Sequence, residues 1–329
     1  MKIKIIREYF EGWQATTKFF QLVVIAFVVN LLLALVLALP IANSFQDHLG
    51  SSLTSEKVVK DFDYLWWQEY RDEAQGLEKT VGVTTLTGKG AVLDNLESLV
   101  FLPQKLLNSP PVLLLVFFLY LLVQTFLSGG IIATYFQKQP PFKSGFFFQQ
   151  AGLFFLRLLG IMALSWVFFL LVYQGIGRLG HWFVDYLSRT ALSERPAFFV
   201  GLVISVILLF LILFIQMIFD YARIHTVVRR EKNILKSILQ SGKVVGANLG
   251  QALGLYYLIM ASLVIFTLVM VLAREALPDK TPLLIITAFL LQQLFILGTI
   301  WFRCWLYASQ IKLYQRITSS PSPATNRSP

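Results

Sequence analysis

The chain has 329 residues, 56% of them apolar and only 14% charged, where an ordinary soluble domain carries about 25% charged residues. A soluble globule as the main body and a disordered chain are both excluded. A formal net charge of +10, one cysteine (Cys304) and three scattered histidines (His48, His181, His225) exclude an intrachain disulfide and a cysteine-built metal cluster, so neither cofactor nor metal is expected.

Residues 1–18 predict an interfacial helix. Ile3, Ile6, Phe10 and Trp13 recur at spacings of three and four, and Lys2, Lys4 and Arg7 supply charge for headgroups. A solvated tail is the plainer reading. Six uncharged stretches then follow along the chain: 19–42, 111–136, 158–177, 197–219, 244–273 and 281–302. Each can cross about 30 Å of hydrocarbon, which takes about 20 helical residues. In lipid the backbone must satisfy its own hydrogen bonds, so these are helices. For the first stretch the rival is a cleaved signal peptide. Its basic start contains Glu8 and Glu11 and its apolar run spans 24 residues, beyond the usual run of about 7–15. Val36-Leu37-Ala38 is still a passable cleavage tripeptide, so a retained anchor is favoured and cleavage stays the alternative.

Residues 43–110 predict a mostly helical extracytoplasmic cap. Thr54 or Ser55 can cap a helix with Glu56 in its first turn, and Val58, Val59, Phe62, Leu65 and Trp66 form one apolar stripe. Gly76, Gly82, Gly88 and Gly90 break the chain, a second apolar run covers 92–107, and Pro110-Pro111 opens the next span. Such a segment is marginal alone and is expected to lie on the bundle, with Trp66 and Trp67 at the bilayer interface. Residues 111–306 read as a five-helix membrane domain. Within it, 224–243 predicts a basic interfacial helix: Ile224, Val227, Val228, Leu235, Ile238 and Leu239 share a face opposite Arg229, Arg230, Lys232, Lys236 and Lys243. A charged loop is the alternative. Residues 307–329 read as a tail, disordered from about 318, where Ser and Pro dominate.

Lys143-Ser144 recurs as Lys236-Ser237, and Gly152 with Gly160 recurs as Gly246 with Gly254. With residues 1–42 as the first copy, this suggests a threefold repeat of interfacial helix plus helical hairpin; chance matching of small residues is the competing explanation.

Orientation follows from lysine and arginine in the loops. With a cytoplasmic N-terminus, the inner segments hold 17 basic and four acidic residues, and the outer ones 11 basic and 14 acidic. The whole basic excess falls on one side, as topology and anionic headgroups require. Nucleic-acid binding is a superfluous second explanation. The expected location is the plasma (inner) membrane with both termini cytoplasmic.

Three segments carry a family likeness: residues 125–131 (Thr-Phe-Leu-Ser-Gly-Gly-Ile), 88–96 (Gly-Lys-Gly-Ala-Val-Leu-Asp-Asn-Leu) and 219–224 (Phe-Asp-Tyr-Ala-Arg-Ile). Together they resemble a group of uncharacterised bacterial six-span integral membrane proteins. In layout alone, residues 111–306 are loosely similar to the membrane domain attached to some glycerophosphodiester phosphodiesterases. The catalytic domain of those enzymes has no counterpart here: there is no barrel-sized soluble segment and no acid-and-histidine cluster. The likeness implies a fold and a prokaryotic membrane, and no mechanism.

Asp220 ends an uncharged span, one helical turn before Arg223, and Arg157 and Arg303 sit at comparable depth on the third and sixth spans. A carboxylate there is costly unless paired or hydrated. The favoured reading is a structural ion pair locking three helices; an anionic-lipid headgroup site and a proton or ion relay are the alternatives. Gly129 and Gly130, after Ser128, allow close helix contact or a helix break. Gly246, Gly250 and Gly254 predict a small-residue packing face, with dimerisation as a variant. Asn30, Gln124, Gln216, Gln292 and Gln293 are uncharged polar residues, read as interhelical hydrogen bonds before a substrate path. Arg303 between Trp301 and Trp305 reads as an interfacial anchor. No catalytic triad, phosphate loop or nucleotide fingerprint occurs.

The expected fold is an all-α polytopic bundle of six transmembrane helices. The expected function is non-enzymatic: organising lipid or a partner complex, with a homo-oligomer or another membrane protein as candidate partner. A small-molecule or lipid transporter, and then an intramembrane lipid-modifying enzyme, are the alternatives.

Overall fold

A computed structural model describes residues 2–49, 64–82, 110–137, 142–190, 195–278 and 281–319. The described residues are helical throughout, without strands, and six helices are long and apolar enough to cross a membrane. In chain order the helices are α1 (Lys2–Lys18), α2 (Phe20–Leu49), α3 (Tyr64–Glu73), α4 (Pro111–Gln137), α5 (Ser144–Val172), α6 (Arg178–Thr190), α7 (Arg195–Arg229), α8 (Ile234–Ala247), α9 (Leu249–Glu275) and α10 (Pro282–Ser319). A wide turn, Tyr173–Gly177, joins α5 to α6, so the third span is one helical run from Ser144 to Thr190. Proline stands at the first position of α4 and α10, where its missing N–H costs nothing. In the most apolar 18-residue stretch of α7 no residue is buried. A helix this apolar with so little of it buried needs a lipid solvent.

The helices outrun the uncharged stretches, and several boundaries are corrected. Charge ends the oil-soluble part of a helix and leaves its hydrogen-bond ladder intact. The first span continues through Pro40 to Leu49, the fourth to Arg229 and the sixth to Ser319. Residues 307–319 are therefore helix rather than tail; the stretch from 320 lies outside the described residues. Nor do residues 224–243 form a single helix. Ile224 and Val227 are buried on α7, Arg230 takes a left-handed turn (φ 52°), and Asn233 caps α8 by accepting the Lys236 backbone N–H at 3.1 Å. Asn248 then separates α8 from α9, so the fifth span begins at Leu249 rather than 244.

By internal contacts the chain forms two units: Met1–Phe19, Thr125–Ile259 and Cys304–Pro329 in one, Phe20–Gln124 and Met260–Arg303 in the other. The second unit contains a small aromatic cluster. Trp66, Trp67, Tyr70 and Val81 pack with Ile41 and Phe45, and Tyr70 stacks on Phe45 at 4.7 Å between centroids. The two tryptophans are thus buried against protein. Ser44 donates to the Glu78 carboxylate and the Gln75 backbone N–H adds a second bond at 2.9 Å, which together hold that carboxyl below its ordinary range. A buried large apolar side chain contributes about 1.5–3 kcal/mol, while each ordered residue costs about 1–2 kcal/mol of backbone entropy. Three rings cannot order residues 64–82 unaided; they are anchored on the end of α2. The expected helix cap at Thr54 or Ser55, the residues Val58, Val59 and Phe62, and the run 92–107 lie outside the described residues.

In the first unit three helix segments are buried on every side: 127–135 on α4, 219–227 on α7 and 304–311 on α10. Each receives the helical segment that follows it. The start of α5 packs on α4, where the Phe147 ring lies 2.6 Å from where a Gly130 Cβ would be. On α7 the partner is α8. For α10 it is α1: the Trp305 indole N–H donates to the Tyr9 carbonyl at 2.8 Å, Trp13 meets Trp305 edge-on at 4.9 Å, and Gly12 abuts Ser309. The three pairings close cyclically, and the first and last helices supply the closure. The three units are not alike in continuity: α5 runs unbroken, whereas α1 and α8 are separated from their spans.

The short helices turn their small and polar faces inward. On α1 the buried residues are Glu8, Gly12 and Thr16, and the exposed ones include Ile6, Phe10 and Trp13. On α8 the buried residues are Ser237, Ser241 and Val245, while Leu235 and Leu239 are exposed. Small and polar stripes pack against protein and apolar stripes point away from it. Lipid-facing helices are built this way, because close approach of backbones replaces the hydrophobic drive between helices.

Candidate functional site

The inward polar stripes meet a buried ionic network. Gln216, Asp220 and Arg223 share one face of α7. The Arg223 guanidinium donates to Asp220 at 2.9 Å and to the Tyr307 hydroxyl of α10 at 3.2 Å, and the Gln216 amide donates to the same Asp220 oxygen at 3.2 Å. On α1, Glu8 is 1% exposed and lies 2.7 Å from a guanidinium nitrogen of Arg316, whose other nitrogen donates to Gln251 of α9. Lys312 and Arg7 reach Glu11 at 3.6 and 3.5 Å. Each deeply buried carboxylate thus has a guanidinium. Desolvating an ion costs several kcal/mol, and only a well-placed counter-charge offsets it.

Of the four residues singled out around Asp220, the structure brings together two. Arg157 is half-buried on α5; its guanidinium lies 3.5 Å from the Arg230 carbonyl and 5.8 Å from the Phe154 ring centroid. Arg303 is exposed and belongs to the other unit. The contact from the sixth span to the pair is made by Tyr307 instead, one helical turn further on. Glu8, Tyr307, Gln251 and Arg316 were not singled out from the sequence. One signal existed for Glu8: an acid heads a stripe of Gly12 and Thr16 at intervals of four on an otherwise basic helix.

The glycines divide. Gly129 and Gly130 sit at close approach to α5, with Leu158 at 3.3 Å from a Gly129 Cβ. Gly246 and Gly250 are exposed, nothing lies within 4 Å of a Cβ on Gly246, and Asn248 separates it from Gly250 and Gly254. These three glycines form no continuous packing face; Gly254 meets a neighbour, Ile5, at 3.0 Å. Three of the polar residues of the spans have assigned partners. Gln124 donates to Asn30 at 2.7 Å, and Gln216 serves Asp220. Among the described residues no group of three His, Cys, Asp or Glu is placed to hold a metal.

Beyond the network, α7, α8 and α10 line an open pocket of about 560 Å³. Its walls include His225, Arg229, Glu231, Gln240, Lys243 and Tyr314. His225 Nδ1 lies 2.6 Å from the Tyr314 hydroxyl. Lys236 at 2.8 Å and the backbone N–H groups of Asn233 and Lys232 hold the Glu231 carboxyl below its ordinary range. Two features therefore stand out in one unit, a closed ion network and an open basic pocket. Comparison with known proteins gives no match: no family model fits the sequence, and no curated protein or solved structure matches it.

Proposed function

We propose that the protein is a non-enzymatic, multi-pass inner-membrane protein with cytoplasmic termini. It organises anionic lipid, or a membrane partner held through lipid, at its inner face. The observation that carries this reading is the outward apolar stripe on α1 and α8, with Phe10 55% and Leu239 66% exposed. These stripes lie beside basic residues, a combination that suits a helix lying in the headgroup region. The distribution of lysine and arginine supports the orientation. The local pairing of Asn30 with Gln124, and of Gln216 with Asp220, gives no support to a shared polar path for transport. Asp220, paired and outside the pocket, gives none to acid catalysis on lipids.

The test uses the full chain extracted from bilayers of equal neutral and anionic phospholipid, with retained lipid identified by native mass spectrometry. Wild type is expected to retain anionic lipid above the bulk ratio. Leu235→Ser with Leu239→Ser is expected to fall to that ratio. A wild type that retains lipid at the bulk ratio overturns the reading.

A further inference from the structure

The pocket between α7, α8 and α10 carries more positive charge than its own acid neutralises. Arg229 and Lys243 line it, and among the described residues neither has a carboxylate within 4.0 Å. Its one acid, Glu231, is already satisfied by Lys236 and two backbone N–H groups. His225, 5% exposed, also lines the pocket; its Nδ1 meets Tyr314, and Gln240 stands beside its ring. Gln240 and Thr318 add an amide and a hydroxyl to the wall. An open pocket of about 560 Å³ admits a small polar headgroup or a smaller anion.

We propose that this pocket binds a phosphate-bearing ligand, with Arg229 and Lys243 as counter-charges and His225 as a hydrogen-bond donor. A phosphomonoester carries roughly −1.5 to −2 charges and three acceptor oxygens, which matches two cations and neutral donors better than a singly charged carboxylate does. Charge-assisted bonds of this kind are about twice as strong as neutral ones. The ligand is either a phospholipid headgroup or a soluble phosphate. The proposal deepens the lipid-organising reading and rests on it only for the pocket's placement at an anionic leaflet.

The experiment titrates the full chain, held in neutral phosphatidylcholine nanodiscs, with short-chain phosphatidate in one arm and inorganic phosphate in the other. Thermal stabilisation and calorimetry give Kd. Saturable binding in either arm is expected, and the arm that binds identifies the source. Lys243→Gln, an exposed position that leaves the fold intact, and Arg229→Gln are each expected to raise Kd about tenfold, the loss of about 1.4 kcal/mol. Arg230→Gln, outside the pocket, is expected to match wild type. Absence of saturable binding in both arms, or equal Kd in wild type and the Lys243 and Arg229 variants, overturns the proposal. The Leu235 and Leu239 substitutions separate the two ideas: they abolish lipid enrichment if the organising reading holds, and leave the inorganic-phosphate Kd unchanged because neither residue lines the pocket.

Discussion

Asp220 and Arg223 show why a buried charge is better judged by its partners than by its depth. The pair is closed at 2.9 Å and braced by Gln216 and Tyr307. Removing one half of such a pair leaves the other half buried and uncompensated, at about 3–5 kcal/mol, whereas replacing both halves by apolar groups is often near neutral. Asp220→Asn is therefore expected to lower unfolding stability in detergent by an amount in that range. Asp220→Leu combined with Arg223→Leu is expected to lose less than either change alone. Tryptophan fluorescence across a denaturation series reads both, and an Asp220→Asn protein as stable as wild type would assign the carboxylate to something other than structure. The pairing itself was legible, because three residues on a helix bring acid and base to one face. Its bracing was not. Tyr307 is 84 positions away from Arg223, and no local period reveals which turn of α10 faces α7.

At the scale of helices, the existence of α1 and of the six spans was legible from period and composition, because both follow from local rules. The apolar stripe of an interfacial helix belongs to lipid, so what the spacing left unread was which small and polar residues of the short helices meet protein. The rule that an apolar stripe marks the buried face assumes water outside. Ile6, Phe10 and Trp13 obey the spacing and are exposed, while Glu8, Gly12 and Thr16 are buried. The same inversion explains the glycines. Gly246 looked like a packing residue because small residues pack membrane helices, yet it lies with Leu239 and Lys243 on the exposed face of α8. Gly12 drew no notice in the sequence and occupies the tight contact with Ser309. Alanine at each position separates the two roles. In an open helix Ala is favoured over Gly by about 1 kcal/mol, so Gly246→Ala is expected to be neutral or stabilising. Gly12→Ala would drive a Cβ into Ser309, whose backbone Cα stands only 2.9 Å away, and is expected to destabilise the α1–α10 contact. Equal unfolding midpoints for the two variants would refute the assignment of faces.

At the scale of the molecule, crossing number and charge must agree. Six helices of the described chain can span, so successive connections alternate in side. The basic excess falls entirely on one set of connections, 17 against four, while the other set holds 11 against 14. Positive charge is retained on the cytoplasmic side of a membrane, and that rule is the basis of the proposed direction of the alternation. The observed helix ends sharpen the choice of reporters. Arg189 lies at the exposed end of α6, after three crossings, and Lys243 is exposed on α8, after four. Cys304 is buried and can be replaced by alanine to give a background without thiols. In that background Arg189→Cys is expected to react with a membrane-impermeant thiol reagent added to intact spheroplasts. Lys243→Cys is expected to react only after the membrane is opened. The reverse pattern would invert the orientation and keep the crossings. Reaction of both from one side would remove a crossing between α6 and α8, and since no other described helix could replace α7, the six-span assignment itself would fall.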